Sequence, residues 1–313
     1  MRVDVHQHIW TAPLIEALAA RGELPFVRVR GGIAELHAAG ERPCAIDLNS
    51  ESRSRRTRLL DDDRIGLALI ALSSAIGIEA LPRDEARALI EAHLDGVRAL
   101  GHRFGAWGPL PLDNPDPDDV DEVLTRGCVG VSVPAGALAT PDGLATAAPL
   151  LDHVAERGVP LFVHPGPGPL SAGGAPLGPP STKEAPAHEP PWWQALTGYV
   201  SQMQSAWLAF ATAGRRRHPD LTVIFAMLAG GAPLLTERLA TRGGPPVDLS
   251  DPLTYYDTSS YGPVAIEAMA RRVGAPQLVY GSDRPVLEPV PSGREALLQA
   301  GAATLLASAR LAA

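Results

Sequence analysis

Residues 1–10 read MRVDVHQHIW, and the way this opening run ends decides the fold. Val3 and Val5 open a short apolar run that ends in His6 and His8. In an extended strand, residues i and i+2 share a face, so both imidazoles enter one space. Two neutral imidazoles held together form half of a metal site. Two polar residues facing solvent on an edge strand would give the same pattern. The continuation, HQHIWTAP (6–13), contains no glycine. An open doubly wound sheet carries a glycine-rich phosphate loop after its first strand, and this segment cannot serve as one.

Working outward, short apolar runs alternate with helical periodicity along the chain. GLALIALS (66–73), RFGAWGPL (103–110), CVGVSVP (128–134), VPLFVHPG (159–166), LTVIFAML (221–228), LTYYDTSS (253–260) and QLVYGSD (277–283) come after the first run. Between them, residues 83–100 place Ala86, Leu89, Ile90, Leu94, Val97 and Leu100 at helical spacing. Another helical stretch ends at Gly158. The strands are continuous apolar runs, as strands buried on both faces are, and no hairpin signal such as Asn-Gly interrupts them. Eight strands, each followed by helical material, predict a (β/α)8 TIM barrel formed as a single domain over residues 1–313. Two stretches break the regularity. Residues 21–58 read as an insertion after strand one. Residues 165–197, rich in Pro, Gly and Ala, form a long loop after strand five. In a barrel that loop overlies the catalytic face, and Trp192 and Trp193 suggest that part of it packs down as a lid.

Composition narrows the partners. The net charge of −8 disfavours nucleic acid and anionic membrane surfaces. No apolar run reaches membrane-spanning length, and the first residues do not resemble a secretory signal. Only Cys44 and Cys128 are present, which fits a reducing cytoplasm rather than a disulfide framework. A small-molecule substrate is expected, and a homodimer is compatible with the sequence.

In a barrel the carboxyl ends of the strands build the active site. Strand one contributes His6 and His8, strand five His164 and strand eight Asp283, in YGSDRP. Three imidazoles and a carboxylate suit one divalent transition metal: zinc first, then manganese or iron. DVHQHIW, LFVHPG, LTVIFAMLAGGAP and LVYGSDRP, in this order and spacing, resemble the amidohydrolase superfamily. The branch they resemble includes aminocarboxymuconate semialdehyde decarboxylase and γ-resorcylate decarboxylase. RTRLLDDDRIGLALIALS and RRRHPDLTVIFA are similar to the same branch. The resemblance implies that His6, His8, His164 and Asp283 are metal ligands and that Asp283 shuttles protons. Binuclear relatives commonly use a carbamylated lysine on strand four. The sole lysine here, Lys183, lies in the long loop, so one metal is implied.

One position departs from that pattern. The branch carries a histidine at the end of strand six, where FAMLAGGAP places Met227. Methionine has no proton to give, so Met227 is expected to pack as a soft apolar wall of the substrate pocket. Asp283 is then expected to act alone as general base, or His188 of the long loop to replace the lost acid. Trp10 is a candidate pocket wall, and Arg284 a bidentate partner for a substrate carboxylate. Asp257 is expected to cap a helix with Thr258 and Ser259, contact with substrate being the alternative. Gly230 and Gly231 should permit the sharp turn after strand six. His37, His93, His102, His153 and His218 receive no chemical role. The expected activity is metal-dependent hydrolysis of a small amide, ester or lactone through a metal-activated water. The alternative is non-oxidative decarboxylation of a carboxylated aromatic or enoic acid, and the third is a non-catalytic, metal-bearing binding protein.

Overall fold

The structure is a computed structural model that describes residues 1–169, 183–186, 188–289, 291 and 295–308. Among the described residues, eleven strands form two sheets. The strands are β1 (Val3–Gln7), β2 (Phe26–Arg30), β3 (Ile33–His37), β4 (Cys44–Asp47), β5 (Leu67–Ile70), β6 (Phe104–Pro109), β7 (Gly130–Pro134), β8 (Leu161–His164), β9 (Val223–Phe225), β10 (Thr254–Asp257) and β11 (Leu278–Val279). Eight of them pair in parallel in the order β1-β5-β6-β7-β8-β9-β10-β11. The ring closes through backbone bonds between β1 and the segment after β11. Val5 N–H donates to Tyr280 O at 2.9 Å, Asp283 N–H to His6 O at 2.9 Å and His8 N–H to Arg284 O at 2.7 Å. This is the expected (β/α)8 barrel. Its closure also sets Asp283 beside the two opening histidines.

The barrel interior is a packed core. Trp107 and Phe162 are fully buried and stack with centroids 5.1 Å apart. The Trp107 indole N–H donates to Val5 O at 2.9 Å, so its one polar atom is satisfied inside. Outside, the helix Arg83–Ala99 buries Ala86, Leu89, Ile90, Leu94 and Val97, the face its periodicity marks. The helix Pro141–Arg157 starts at Thr140, whose hydroxyl accepts from Gly143 N–H, and ends at Gly158 with φ 65°. No helix among the described residues is long and apolar enough to cross a membrane.

The insertion differs from expectation. β2, β3 and β4 form a small antiparallel sheet, so the chain does contain a hairpin. Its turn is Gly31-Gly32, with φ of 56° and 84°. Two left-handed residues match the twist of the flanking strands, and glycine adopts that conformation without steric cost. The long loop after β8 docks on this sheet. Gly40 N–H donates to Lys183 O, Ala185 N–H to Glu41 O, and the Arg42 guanidinium to Glu189 O. His37 Nδ1 lies 2.6 Å from Glu184. Trp192 and Trp193, expected to pack down, are 55% and 43% exposed. Bonds to the connection between β3 and β4, rather than tryptophan burial, hold residues 183–189 of the loop that are described.

Candidate metal centre

His6 and His8 leave the end of β1, and His164 ends β8. All three are buried, and their ring centroids form a triangle with sides of 5.0 Å. One ring nitrogen from each lies within 4.8 Å of the other two. His6 Nε2 and His8 Nε2 are 3.2 Å apart. Asp283 Oδ1 lies 3.2 Å from His8 Nε2 and 3.7 Å from His6 Nε2. The four residues named as ligands are therefore brought together.

Each ring is held from behind. His8 Nδ1 meets Ala71 O and His164 Nδ1 meets Pro165 O, both at 2.8 Å. A carbonyl only accepts, so both Nδ1 atoms carry hydrogen, which in a neutral ring makes Nε2 a lone pair. His6 Nδ1 lies 2.8 Å from Asp257 Oδ2, which fixes the same tautomer. Three lone pairs and a carboxylate then face a common point. Two lone pairs at 3.2 Å repel unless a cation lies between them, so this donor set fits a divalent metal.

The electrostatics agree. Burial lowers His6, but Asp257 chiefly, with Asp283 and Asp4, outweighs it and raises the group to about 9. Burial, reinforced by the charges of His6 and His8, moves His164 well down. Burial raises Asp283, yet the His8 hydrogen bond and the neighbouring imidazolium charges prevail and hold it near 2. The centre thus favours positive charge at its middle and a carboxylate at its rim.

Several supporting residues carry roles that the sequence did not reveal. Asp257 was expected to cap a helix, but the next helix, Pro263–Val273, starts from Gly262 without a side-chain cap. Asp257 Oδ1 accepts instead from Ser259 N–H at 2.8 Å and Met227 N–H at 3.2 Å, while its Oδ2 orients His6. Asp4 is fully buried and accepts from His6 N–H and Ser282 N–H, both at 3.1 Å, clamping the Asp283 turn to β1. The buried Arg56 guanidinium donates to His8 O at 2.7 Å and Gln7 Oε1 at 3.0 Å. A signal existed for Asp4, which shares the parity of His6 and His8. None existed for Arg56.

Met227 is buried and opens a run of five residues, Met227 to Gly231, with φ between 50° and 76°. Gly230 and Gly231 suit that conformation. Met227, Leu228 and Ala229 each cost about 1–2 kcal/mol there. Asp257 accepting from Met227 N–H and Gln204 Nε2 donating to Gly230 O help hold the run in place.

Two expectations require correction. The Arg284 guanidinium is not free for a substrate carboxylate. It donates to Asp63 at 2.8 and 3.2 Å and to Glu288 at 2.8 Å, because the turn after β11 brings it over the end of the helix Arg53–Asp62. His188 is exposed in a turn and, among the described residues, makes no hydrogen bond to His6, His8, His164 or Asp283, because its loop pairs with the insertion sheet instead. Trp10 is half-buried against the core, and its backbone N–H donates to Glu51 Oε2 at 2.9 Å.

No family profile matches this chain. No curated protein matches it either. Solved structures do. Apo IDCase from Metarhizium anisopliae superposes with a TM-score of 0.76 at 19% identity, over 99% of this chain and 97% of that one. A 5-carboxyvanillate decarboxylase from Sphingomonas paucimobilis gives 0.68 at 13% identity, over 99% and 98%. A dihydroxybenzoic acid decarboxylase from Polaromonas sp. JS666, solved with manganese and 2-nitroresorcinol, gives 0.63 at 15%, over 99% and 97%. A protein described as an amidohydrolase II gives 0.69 at 16%. The chain has the (β/α)8 fold of these proteins over 98–99% of its length.

Proposed function

We propose that this protein is a metal-dependent carboxy-lyase of the amidohydrolase superfamily, releasing carbon dioxide from a small carboxylated aromatic or enoic acid. The observation that carries this is the convergence of three imidazole lone pairs and Asp283 at the mouth of a barrel whose fold matches several decarboxylases from end to end. His6, His8, His164 and Asp283 would hold one divalent ion, zinc or manganese. When bound, such an ion supplies Lewis acidity that anchors a substrate carboxylate and an adjacent oxygen. Asp257, Ala71 O and Pro165 O keep the three imidazoles in the ligating tautomer. Asp283, held near 2, stays a carboxylate at working pH, as a ligand to a cation must. Trp10 and Met227 would wall the pocket with apolar surface.

Hydrolysis of an amide, ester or lactone is the second reading. It is favoured by Met227, because Asp283 would move every proton without an acid at that position. The metal-loaded protein should be incubated with hydroxybenzoates, enoic diacids, lactones and amides while carbon dioxide and acid release are followed. Carbon dioxide from a hydroxybenzoate or enoic acid, lost on chelation and restored by zinc or manganese, is the expected result. Acid release from lactones or amides alone would overturn the lyase reading. Turnover unaffected by chelation would overturn both.

A further inference from the structure

Two turns meet at the metal centre. One runs from Asp257, the last residue of β10, to Tyr261, and the other follows β11 and carries Asp283. β10 and β11 are paired with Asp257 opposite Val279, so the turns start side by side. Each is fixed by its backbone. Thr258 N–H donates to Val279 O at 3.1 Å, and Asp257 Oδ1 accepts from the Ser259 N–H and the Ser259 hydroxyl. Asp283 N–H donates to His6 O at 2.9 Å. Gly281 lets the second turn lie against the first, since a Cβ there would stand 2.9 Å from both Asp257 Cγ and His6 Cβ. The Ser260 hydroxyl then donates to Asp283 Oδ2 at 3.3 Å. Ser260 is exposed and Asp283 half-buried, so this contact lies on the solvent side of the centre. Both residues are left-handed, with φ of 67° and 60°. Neither is glycine, so both conformations are strained and persist only because the surrounding contacts hold them.

The two oxygens of Asp283 therefore differ. Oδ1 faces Nε2 of His8 at 3.2 Å and Nε2 of His6 at 3.7 Å, whereas Oδ2 faces Ser260. A carboxylate can give a cation one oxygen or both, and the terminal torsion of an aspartate is broad, so nothing in Asp283 itself selects between them. We propose that Ser260 is a positioning residue that holds Asp283 to one oxygen, so that the protein supplies four ligand atoms and leaves positions open for substrate oxygens. This rests on the metal centre of the proposed function, whichever reaction that centre serves. At 3.3 Å the bond is long for a hydroxyl on a carboxylate, so the two clamped turns, more than the bond itself, set the separation. Without the hydroxyl, Oδ2 is free to turn toward the same cation and take a position that a substrate oxygen needs.

This role has a signature that ordinary support of a ligand lacks. Removing a group that merely props up a ligand weakens the metal. Removing Ser260 adds an oxygen to the cation, so metal affinity holds or rises while the substrate side of the centre closes. The left-handed backbone separates the hydroxyl from the turn. Ser260→Gly removes the hydroxyl and relieves the strain, and Ser260→Ala removes the hydroxyl and keeps it. Ser260→Asn tolerates the left-handed region and restores an N–H donor.

The test uses the full chain loaded with manganese and needs no turnover. Relaxation of water protons by the bound ion counts the exchangeable waters it carries. A wild type that binds no manganese overturns the metal centre, and this proposal with it. Ser260→Gly and Ser260→Ala should each lose the contribution of one bound water, while manganese affinity holds or rises. Salicylate, which offers two adjacent oxygens, should bind both variants roughly 10–100-fold more weakly than wild type. Ser260→Asn should restore the water and the salicylate affinity together. A water count unchanged in Ser260→Gly, or salicylate affinity equal to wild type, would overturn the proposal. A loss confined to Ser260→Ala would assign the effect to the turn and overturn the role of the hydroxyl. A fall in manganese affinity of about tenfold or more with the water retained would make Ser260 an ordinary prop and overturn it as well.

Discussion

Replacing Asp257 by asparagine isolates what orients His6. Asp257 is fully buried, and both oxygens are engaged. Oδ1 takes Met227 N–H and Ser259 N–H, and Oδ2 takes His6 Nδ1–H. An asparagine can keep the first pair only by turning its Nδ2 toward His6 Nδ1, at 2.8 Å. The opposite orientation aims Nδ2 at two backbone donors, leaving buried groups unsatisfied at about 1–3 kcal/mol each. The first orientation therefore wins, and His6 escapes the clash by moving its proton to Nε2. That removes one of the three lone pairs facing the metal. Loss of such a supporting carboxylate costs roughly 10–100-fold in metal affinity. At 1.4 kcal/mol per tenfold, this is about 1.4–2.8 kcal/mol. Competition against a chromophoric chelator would read it, with a circular-dichroism melt to verify the fold. An affinity for zinc and manganese within about twofold of wild type would refute the tautomer argument.

Other outcomes rest on the same geometry. Arg56→Ala leaves the nearly buried Glu51 carboxylate, His8 O and Gln7 without their guanidinium, and urea unfolding should show a loss of about 3–5 kcal/mol; a loss under about 1 kcal/mol would mean that Glu51 finds water. Burial raises Glu79 to about 7, against the Ser74 hydrogen bond and from an ordinary value of 4.5. Below 4.5 both folded and unfolded states hold the proton, and Glu79 contributes nothing. From 4.5 to about 7 only the folded state keeps it, so stability falls with pH by about 1.4 kcal/mol per unit, on the order of 3 kcal/mol in all, and is level above. Glu79→Gln should therefore gain on wild type between those pH values in denaturant titrations, and a pH-independent gap would contradict the assignment. Chelation should lower Tm, because a metal held by groups from β1, β8 and the turn after β11 binds the folded ring alone; His164→Ala should abolish that shift.

The strand ends were legible because their signals are local. Apolar runs mark strands, a two-residue period puts His6 and His8 on one face, and the end of a run marks the end of a strand, as at His164. The sharp left-handed turn after β9 was legible because Gly230 and Gly231 mark it. The Gly31-Gly32 turn was also there to be seen, but it lay in a stretch read only as an insertion. What remained hidden depends on distant partners. His6 and Asp257 are 251 positions apart, Asp4 and Ser282 are 278 apart, and Arg56 reaches His8 across 48.

By itself, the sequence determined the repeat of strands and helices and the residue types at each strand end, since periodicity and side-chain chemistry act over a few residues. Only the tertiary structure decided which nitrogen of each imidazole faces inward, that Arg284 is engaged by Asp63 and Glu288, and that Asp257 stands behind His6. Hydrogen-bond direction and burial belong to pairs of groups, and those pairs exist only once the ring of strands has closed.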